Sequence, residues 1–286
     1  MHARWLPGFR RSAVAKTAVG VALLLAVVTS VAAAQRRGGG GGFGGGRSAR
    51  IDTSWVYDGR FVFCRIAFQN SPDGDGSGWQ VDYPRADMNF PFRLGELSST
   101  PISHNAQGEP NHVVLTLTDP HLFQCPFVMM TEPGGALIRD DEAVKLREYL
   151  DKGGFLWVDD FWGEYAWAHW ERELRKVLPA AEFPIKDLPL DHPIFKTSYV
   201  ITSIPQIPSL NNWLSSGGLT YERRDATVPH LRAVENASGD VMVLMTHNTD
   251  LGDAWEREGF DRAYFEEFAA RGYALGVNVF LYAMTH

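Results

Sequence analysis

One stretch of the chain sets the fold class: residues 140–159 read DDEAVKLREYLDKGGFLWVD. Its first part carries Leu146 and Leu150 at helical spacing, and Gly153 stands where a helix typically ends. The following residues, 155–158, form a short run of large apolar side chains, which is typical of a buried strand. A helix that leads through paired glycines into a buried strand predicts one unit of an α/β sheet.

The same alternation continues in both directions from residue 51 to the end of the chain. Apolar runs predict strands at residues 61–68, 112–118, 127–130 and, as a hairpin, 231–234 with 241–245. Helical spacing predicts helices at residues 88–99, 165–178 and 263–283, the last broken or bent near Gly272 and Gly276. Strands that alternate with helices predict an α/β fold with a mostly parallel sheet and helices on both faces.

The charge of the chain is divided unevenly along its 286 residues, which carry a formal net charge of -7. Residues 1–50 contain eight basic side chains and no acidic one, so the rest of the chain holds 19 basic and 34 acidic residues. An acidic body excludes the basic surface that non-specific nucleic-acid binding requires, and it disfavours docking on anionic lipid. A sugar, a cation or another protein is the expected kind of partner.

The first 50 residues read as a targeting region followed by a linker. Four basic residues precede an apolar run at residues 17–34 that closes on three alanines, which predicts a signal peptide over residues 1–34 with cleavage after Ala34. An uncleaved membrane anchor at residues 17–34 is the alternative. Residues 35–50 are a glycine-rich linker. We therefore expect a periplasmic or secreted protein, or one anchored in the inner membrane, with a single domain over residues 51–286.

The chain has two cysteines, Cys64 and Cys125, each in an apolar stretch. Burial as free thiols is the favoured interpretation, and a disulfide is the alternative that an oxidising compartment would permit. Neither cysteine has a basic partner nearby in sequence, so neither is predicted to be an activated nucleophile.

Several stretches resemble known families. Residues 146–156 and 191–194 are similar to the helix, paired glycines and strand, and to the Asp-His-Pro-Ile segment, of class I glutamine amidotransferase-like and trehalose-utilisation-like domains. Residues 159–161, 191–195, 247–255 and 276–278 together resemble domain of unknown function family 4159. The resemblance implies a flavodoxin-like, amidotransferase-type architecture over nearly all of residues 51–284, without an established activity.

The chain departs from the amidotransferase pattern at the nucleophile. Where those enzymes place a cysteine after the strand at 155–158, this chain has Asp159 and Asp160. A carboxylate is a weak nucleophile towards an amide, so glutaminase activity is not expected. His247, by contrast, follows the strand at 241–245, close to the position at which the relatives keep their catalytic histidine.

Polar side chains after two predicted strands give a site hypothesis, because ligands of open α/β sheets bind beyond the carboxyl ends of the strands. Asp160 and His247 are the catalytic candidates, and the ligand-binding candidates are Asp159, Trp162, His192, Asp250, Asp253 and Trp255. Asp160 with His247 could act in acid–base chemistry, or the pair could hold a cation together with Asp250 and Asp253. The same residue types also cap helices and form turns, and this interpretation stays open.

No metal or cofactor is predicted. Zinc motifs are missing from the sequence, and residues 73–78, DGDGSG, match only the opening of a calcium loop because Pro84 occupies the position of the bidentate glutamate. A flexible loop is the favoured interpretation of residues 73–78.

Two classes of function follow. The first is an exported accessory or binding domain for a glycan, a peptide or an envelope protein, which fits the missing thiol and the linker. The second is a hydrolase or lyase that acts on a small polar substrate through Asp160 and His247. A hydrogen bond between those two side chains in a closed pocket would favour the second class.

Overall fold

A computed structural model of the protein describes residues 57–286. The predicted signal peptide or anchor and the glycine-rich linker lie outside the described residues. Within residues 57–286, no helix has both the length and the apolar character that crossing a bilayer requires.

The structure alternates strands and helices along the chain. The strands are β1 (Phe63–Ile66), β2 (Gln69–Asn70), β3 (His112–Leu115), β4 (Phe127–Thr131), β5 (Ala136–Leu137), β6 (Phe155–Asp159), β7 (Lys186–Asp187), β8 (His230–Glu235) and β9 (Val241–His247). The helices are α1 (Arg85–Leu97), α2 (Asp140–Asp151), α3 (Gly163–Val177), α4 (Leu210–Ser216), α5 (Leu251–Glu256), α6 (Arg262–Tyr264) and α7 (Ala270–Thr285).

Seven of these strands form one sheet in the order β3-β1-β4-β6-β9-β8-β7. Neighbours from β3 to β9 pair in parallel, whereas β8 pairs antiparallel with both β9 and β7. The five parallel strands, counted along the chain, have the spatial order 2-1-3-4-5, which is the flavodoxin-like order. The predicted mostly parallel α/β fold is confirmed, and the switch in strand order lies between β1 and β4.

The two faces of the sheet pack into separate hydrophobic cores, which is why β6 is apolar at every position but its last. Trp157 faces a core that includes Phe90 of α1, Trp255 of α5 and Phe280 of α7. Its neighbour Leu156 faces the opposite core, beneath α2 and α3. Helices therefore cover both faces, as the apolar character of the parallel strands predicts.

The C-terminal helix is irregular at a different place from the one predicted near Gly272 and Gly276. The irregular turn lies at Phe265–Ala269, where the backbone widens into a π-helical turn before α7, and not at Gly272 or Gly276. Both glycines lie inside α7 at close contacts. A Cβ on Gly276 would lie 2.7 Å from the ring of Phe90 and 2.9 Å from that of Trp255. The glycines let the helix approach these rings, and α7 runs through both positions without a break.

Cys64 and Cys125 form a disulfide, so the favoured interpretation of two free buried thiols is wrong. Cys64 lies in β1, and Cys125 precedes β4 by two residues. The parallel pairing of β1 with β4 brings the two residues together across the switch in strand order. The sequence contains no other cysteine, so no thiol is free.

Candidate functional site

Backbone conformation marks the carboxyl edge of the sheet. In the part of the chain that the structure describes, the residues other than glycine with positive φ are Asp82 (63°), Glu132 (52°), Asp160 (60°) and Asn248 (61°). Three of them directly follow strands β4, β6 and β9, and Asp82 lies between β2 and α1. Left-handed conformations of such residues are strained and concentrate at functional sites, so this edge is the candidate site.

Three aspartates converge at this edge, and we call them the acidic cluster: Asp82, Asp160 and Asp250. One carboxylate oxygen of each lies within 4.8 Å of the others. The three residues are 6%, 7% and 3% exposed, respectively. A second group, Asp82 with Asp253 and Glu256, shares Asp82 and meets the same distance limit. The site is thus a concentration of negative charge with little access to water.

Burial raises the pKa of all three aspartates of the acidic cluster well above the ordinary value, and neighbouring carboxylates raise it further. The same two causes raise the pKa of Glu132 to about 7, with Asp75 and Glu222 as the neighbouring charges. Burial also raises the pKa of Asp159 to about 7. Each of these groups would be easier to ionise if a positive charge were placed among them.

Asp82 has an unsatisfied oxygen. Its Oδ2 atom is buried and has no hydrogen-bond partner. The guanidinium of Arg65 lies close enough to lower the pKa of Asp82. The hydrogen bonds of Arg65, however, go to other groups, among them the carboxylate of Asp87 and the carbonyl oxygens of Trp79 and Val81.

Asp159 and Asp253 have structural partners that fit the capping interpretation. Asp159 Oδ2 accepts hydrogen bonds from the backbone N–H groups of Leu251 (2.9 Å) and Gly252 (3.0 Å) at the start of α5. Asp253 Oδ2 accepts from Leu210 N at 2.7 Å and from the hydroxyl of Tyr264 at 3.2 Å. These two aspartates fasten α5 to the sheet and to α4 and α6.

Asp250 and Asp160 use one oxygen each. Asp250 Oδ1 accepts from Asp253 N at 2.6 Å and caps α5. Asp160 Oδ1 accepts from the indole Nε1 of Trp162 at 2.9 Å. Trp162 therefore lies beside the acidic cluster, as the sequence predicts, and it is only 6% exposed. Capping accounts for one oxygen of Asp250 but for none of the contacts of Asp82 or Asp160.

His247 is engaged away from the acidic cluster. Its Nε2 lies 3.1 Å from the carbonyl oxygen of Gly163, and its Nδ1 lies 3.2 Å from Nη1 of Arg232. The first partner only accepts and the second only donates, so the proton is on Nε2 and Nδ1 accepts. The ring packs on Phe161 and Trp167. Both nitrogens are used, and neither contacts Asp160.

The pKa of His247 gives a prediction for stability against pH. This pKa is lowered from 6.5 to about 4, chiefly by burial and also by the charges of Arg232 and His230, while the hydrogen bond to Gly163 opposes the shift. Between these two values His247 is protonated in the unfolded chain and neutral in the folded chain. The free energy of unfolding therefore decreases as pH falls from 6.5 towards 4. Between pH 7.5 and 5.0 we expect this imidazole to lower the free energy of unfolding by about 2 kcal/mol.

Urea unfolding of the protein and of His247→Gln at both pH values measures the effect. The amide of glutamine can replace both hydrogen bonds but does not titrate. Between pH 7.5 and 5.0 the free energy of unfolding of the variant should therefore fall by about 2 kcal/mol less than that of the unsubstituted protein. His104→Gln, at an exposed histidine, should lose as much as the unsubstituted protein. Equal losses in all three proteins would contradict the assignment.

Residues 63–284 match the family model described as domain of unknown function (DUF4159). The chain belongs to the DUF4159 family. The matched range contains the acidic cluster, His247 and both cysteines. No curated protein matches the chain in sequence.

Two predicted ligand-binding residues of this DUF4159 domain lie elsewhere. Trp255 is fully buried and packs between Phe90 and Trp157, because α5 turns this side chain towards the sheet. His192 caps the short helix Pro193–Lys196 and packs on Tyr282. The hydroxyl of Tyr282 accepts from Val241 N, the first residue of β9, so His192 lies at the amino edge of the sheet. Neither residue reaches the acidic cluster.

The loop at residues 71–78 is hydrogen-bonded to residues at the carboxyl edge of the sheet. The sequence predicted a flexible segment there and did not predict these bonds. Gly78 N donates to Glu132 Oε2 at 2.6 Å, and Asp75 N donates to the carbonyl oxygen of Gly134 at 2.8 Å. The carboxylate of Asp75 pairs with Arg223. That pairing supports a structural loop in preference to a calcium loop.

Sequence reasoning missed Asp82 and Glu132. The rule that selected Asp160 and Asp250 applies to residues at the ends of the parallel strands. Glu132 comes directly after β4 and was within reach of that rule. Asp82 follows β1 by sixteen residues and enters the site only through the path of the chain before α1.

Proposed function

We propose that this DUF4159 domain is an exported binding domain without amidotransferase activity, and that its carboxyl edge binds a positively charged group. The convergence of three buried carboxylates in the acidic cluster carries the proposal. Buried charges of one sign repel each other, and a bound cation converts that repulsion into attraction. A peptide or envelope protein that presents a basic side chain, or an inorganic cation, has the required charge.

The state of the cysteines supports the binding role over thiol chemistry. Both are held in the disulfide, and the position of an amidotransferase nucleophile is taken by Asp159 and Asp160. Both carboxylate oxygens of Asp159 accept hydrogen bonds, one from the hydroxyl of Thr246 and the other from the backbone at the start of α5. The pairing of the two cysteines of the chain in a disulfide also fits an oxidising compartment, and this supports export.

The alternative, a hydrolase or lyase that uses Asp160 with His247, has less support. Both nitrogens of His247 are bonded to other partners, and its lowered pKa keeps the ring neutral. Burial also bears on the ligand. Since each aspartate of the acidic cluster is less than one-tenth exposed, a small cation or the tip of a basic side chain fits better than a glycan.

A panel of cationic probes tests the proposal. The metal-stripped chain is titrated by calorimetry with calcium and manganese chlorides and, separately, with the amides of N-acetyl-lysine and N-acetyl-arginine. We expect saturable binding of at least one probe. At a probe concentration of 100 times Kd, the folded state gains about 2.7 kcal/mol, a rise in Tm of about 5–10 °C.

The variant Asp160→Asn should lose this binding, and Asp151→Asn, at an exposed carboxylate at the end of α2, should keep it. Ammonia release from glutamine, measured on the same samples, should stay at the background rate. Failure of every probe to bind, or equal binding by Asp160→Asn, would refute the proposal.

A further inference from the structure

We infer that the acidic cluster of Asp82, Asp160 and Asp250 is a binding site for a hard divalent cation such as Ca²⁺ or Mn²⁺. This inference rests on the proposed function and names its ligand. All three donors are carboxylate oxygens, the ligand type that Ca²⁺, Mg²⁺ and Mn²⁺ prefer, whereas zinc and copper favour nitrogen and sulfur.

The spacing of the oxygens fits one ion. Two ligands on opposite sides of a Ca²⁺ ion are about 4.6–5.2 Å apart, because each Ca–O distance is about 2.3–2.6 Å. The three oxygens of the acidic cluster lie within 4.8 Å of one another, which is inside that span. They can therefore contact a common ion without rearrangement of the backbone.

Asp82 supplies an independent sign of a missing partner. Its Oδ2 is buried without a hydrogen bond, and a buried polar oxygen in that state is costly. The oxygen lies in the space that a side chain at residue 252 would fill, since a Cβ on Gly252 would collide with Oδ2 of Asp82 and lie 3.5 Å from Oδ1 of Asp250. Because residue 252 is a glycine, the carboxylates of Asp82 and Asp250 can both lie beside its Cα atom.

Two guanidinium groups near the acidic cluster, those of Arg65 and Arg257, already have partners. Arg65 is bonded to Asp87 and to Thr131 Oγ1 at 2.5 Å. Arg257 pairs with Glu256 at 2.7 Å and more loosely with Asp253. Asp253 and Glu256 are thereby compensated in part, whereas Asp82, Asp160 and Asp250 make no ion pair in the described residues. The acidic cluster is therefore preferred over the second group.

Titration of the metal-stripped full chain with calcium chloride and with manganese chloride tests the inference. Calorimetry should give one saturable site per chain. Terbium provides a second readout, because Trp162 is bonded to Asp160 and should sensitise the luminescence of Tb³⁺ held there. Calcium should displace terbium and quench the signal.

Two kinds of variant report on the site. Asp82→Asn removes charge at constant shape, and Gly252→Ala pushes the carboxylate of Asp82 aside at constant charge. Each should weaken binding at least tenfold, while Asp151→Asn should not change it. The metal-free Asp82→Asn protein should melt no lower than the metal-free unsubstituted protein, since the substitution relieves repulsion. A lower melting temperature would indicate a structural role instead.

The outcomes separate this inference from the proposed function. If lysine or arginine amide binds in an Asp160-dependent manner but neither metal does, the cation-binding role stands and the metal site is refuted. If neither kind of probe binds, both are refuted. Metal binding that survives Asp82→Asn and Gly252→Ala would also overturn the assignment of these ligands.

Discussion

Replacing Arg65 by methionine is expected to lower the free energy of unfolding by about 3–5 kcal/mol, because it leaves the carboxylate of Asp87 buried without a partner. Arg65 and Asp87 are both fully buried, and the guanidinium contacts both oxygens of the carboxylate. Arg65 also donates at 3.1 Å to the carbonyl oxygens of Trp79 and Val81, which lie three residues and one residue before Asp82. Urea unfolding at pH 7.5 measures the loss.

A double variant separates charge from packing. Arg65→Met with Asp87→Leu removes both charges, and exchange of a buried ion pair for apolar side chains is often near neutral. The double variant should therefore be more stable than Arg65→Met alone. Arg93→Met, in a partly exposed pair with Glu258, should lose at most about 1 kcal/mol. A double variant less stable than the single one would show that the ion pair itself is not the source of the effect.

Removal of the disulfide is expected to lower the free energy of unfolding by about 4 kcal/mol. Cys64 and Cys125 are 61 residues apart, and a cross-link that closes a loop of this size restricts the unfolded chain by about that amount. The variant that carries both Cys64→Ala and Cys125→Ala should show the loss in guanidinium unfolding.

A reducing agent provides the matched control for this prediction. With dithiothreitol the unsubstituted protein should fall to nearly the stability of the double variant, whose own stability should not change. Equal stability of the oxidised protein and the variant would contradict the expected contribution of the cross-link.

The sequence was informative wherever a pattern repeats along the chain. The apolar run at β6 and the helical spacing of α2 predicted two elements whose ends agree with the structure to within a residue or two. The strand order was not predictable in the same way, because it depends on which strands pair across long connections. The disulfide shares this limitation: only the pairing of β1 with β4 shows that Cys64 and Cys125 meet.

The site was predictable in part for a related reason. Asp160 directly follows β6 and Asp250 comes three residues after the end of β9, so the rule for α/β sheets selects them. Asp82 depends on the path of the loop before α1, and no local pattern in the sequence gives that path. Trp255 was predicted to lie in the cleft because it follows His247 along the chain. In α5, however, the direction of a side chain depends on helical phase, and Trp255 points into the core.

The strand at the outer edge of the sheet bears on how copies of the chain behave towards one another. β7 has only two residues, Lys186 and Asp187, and both are exposed. The charged side chains pair with Glu235 and Arg232 of β8. Short, charged edges give an incoming strand few backbone groups to pair with and a penalty for burying charge. This border of the sheet therefore resists intermolecular strand addition, and the domain can be concentrated without growing into an extended β-aggregate along that side.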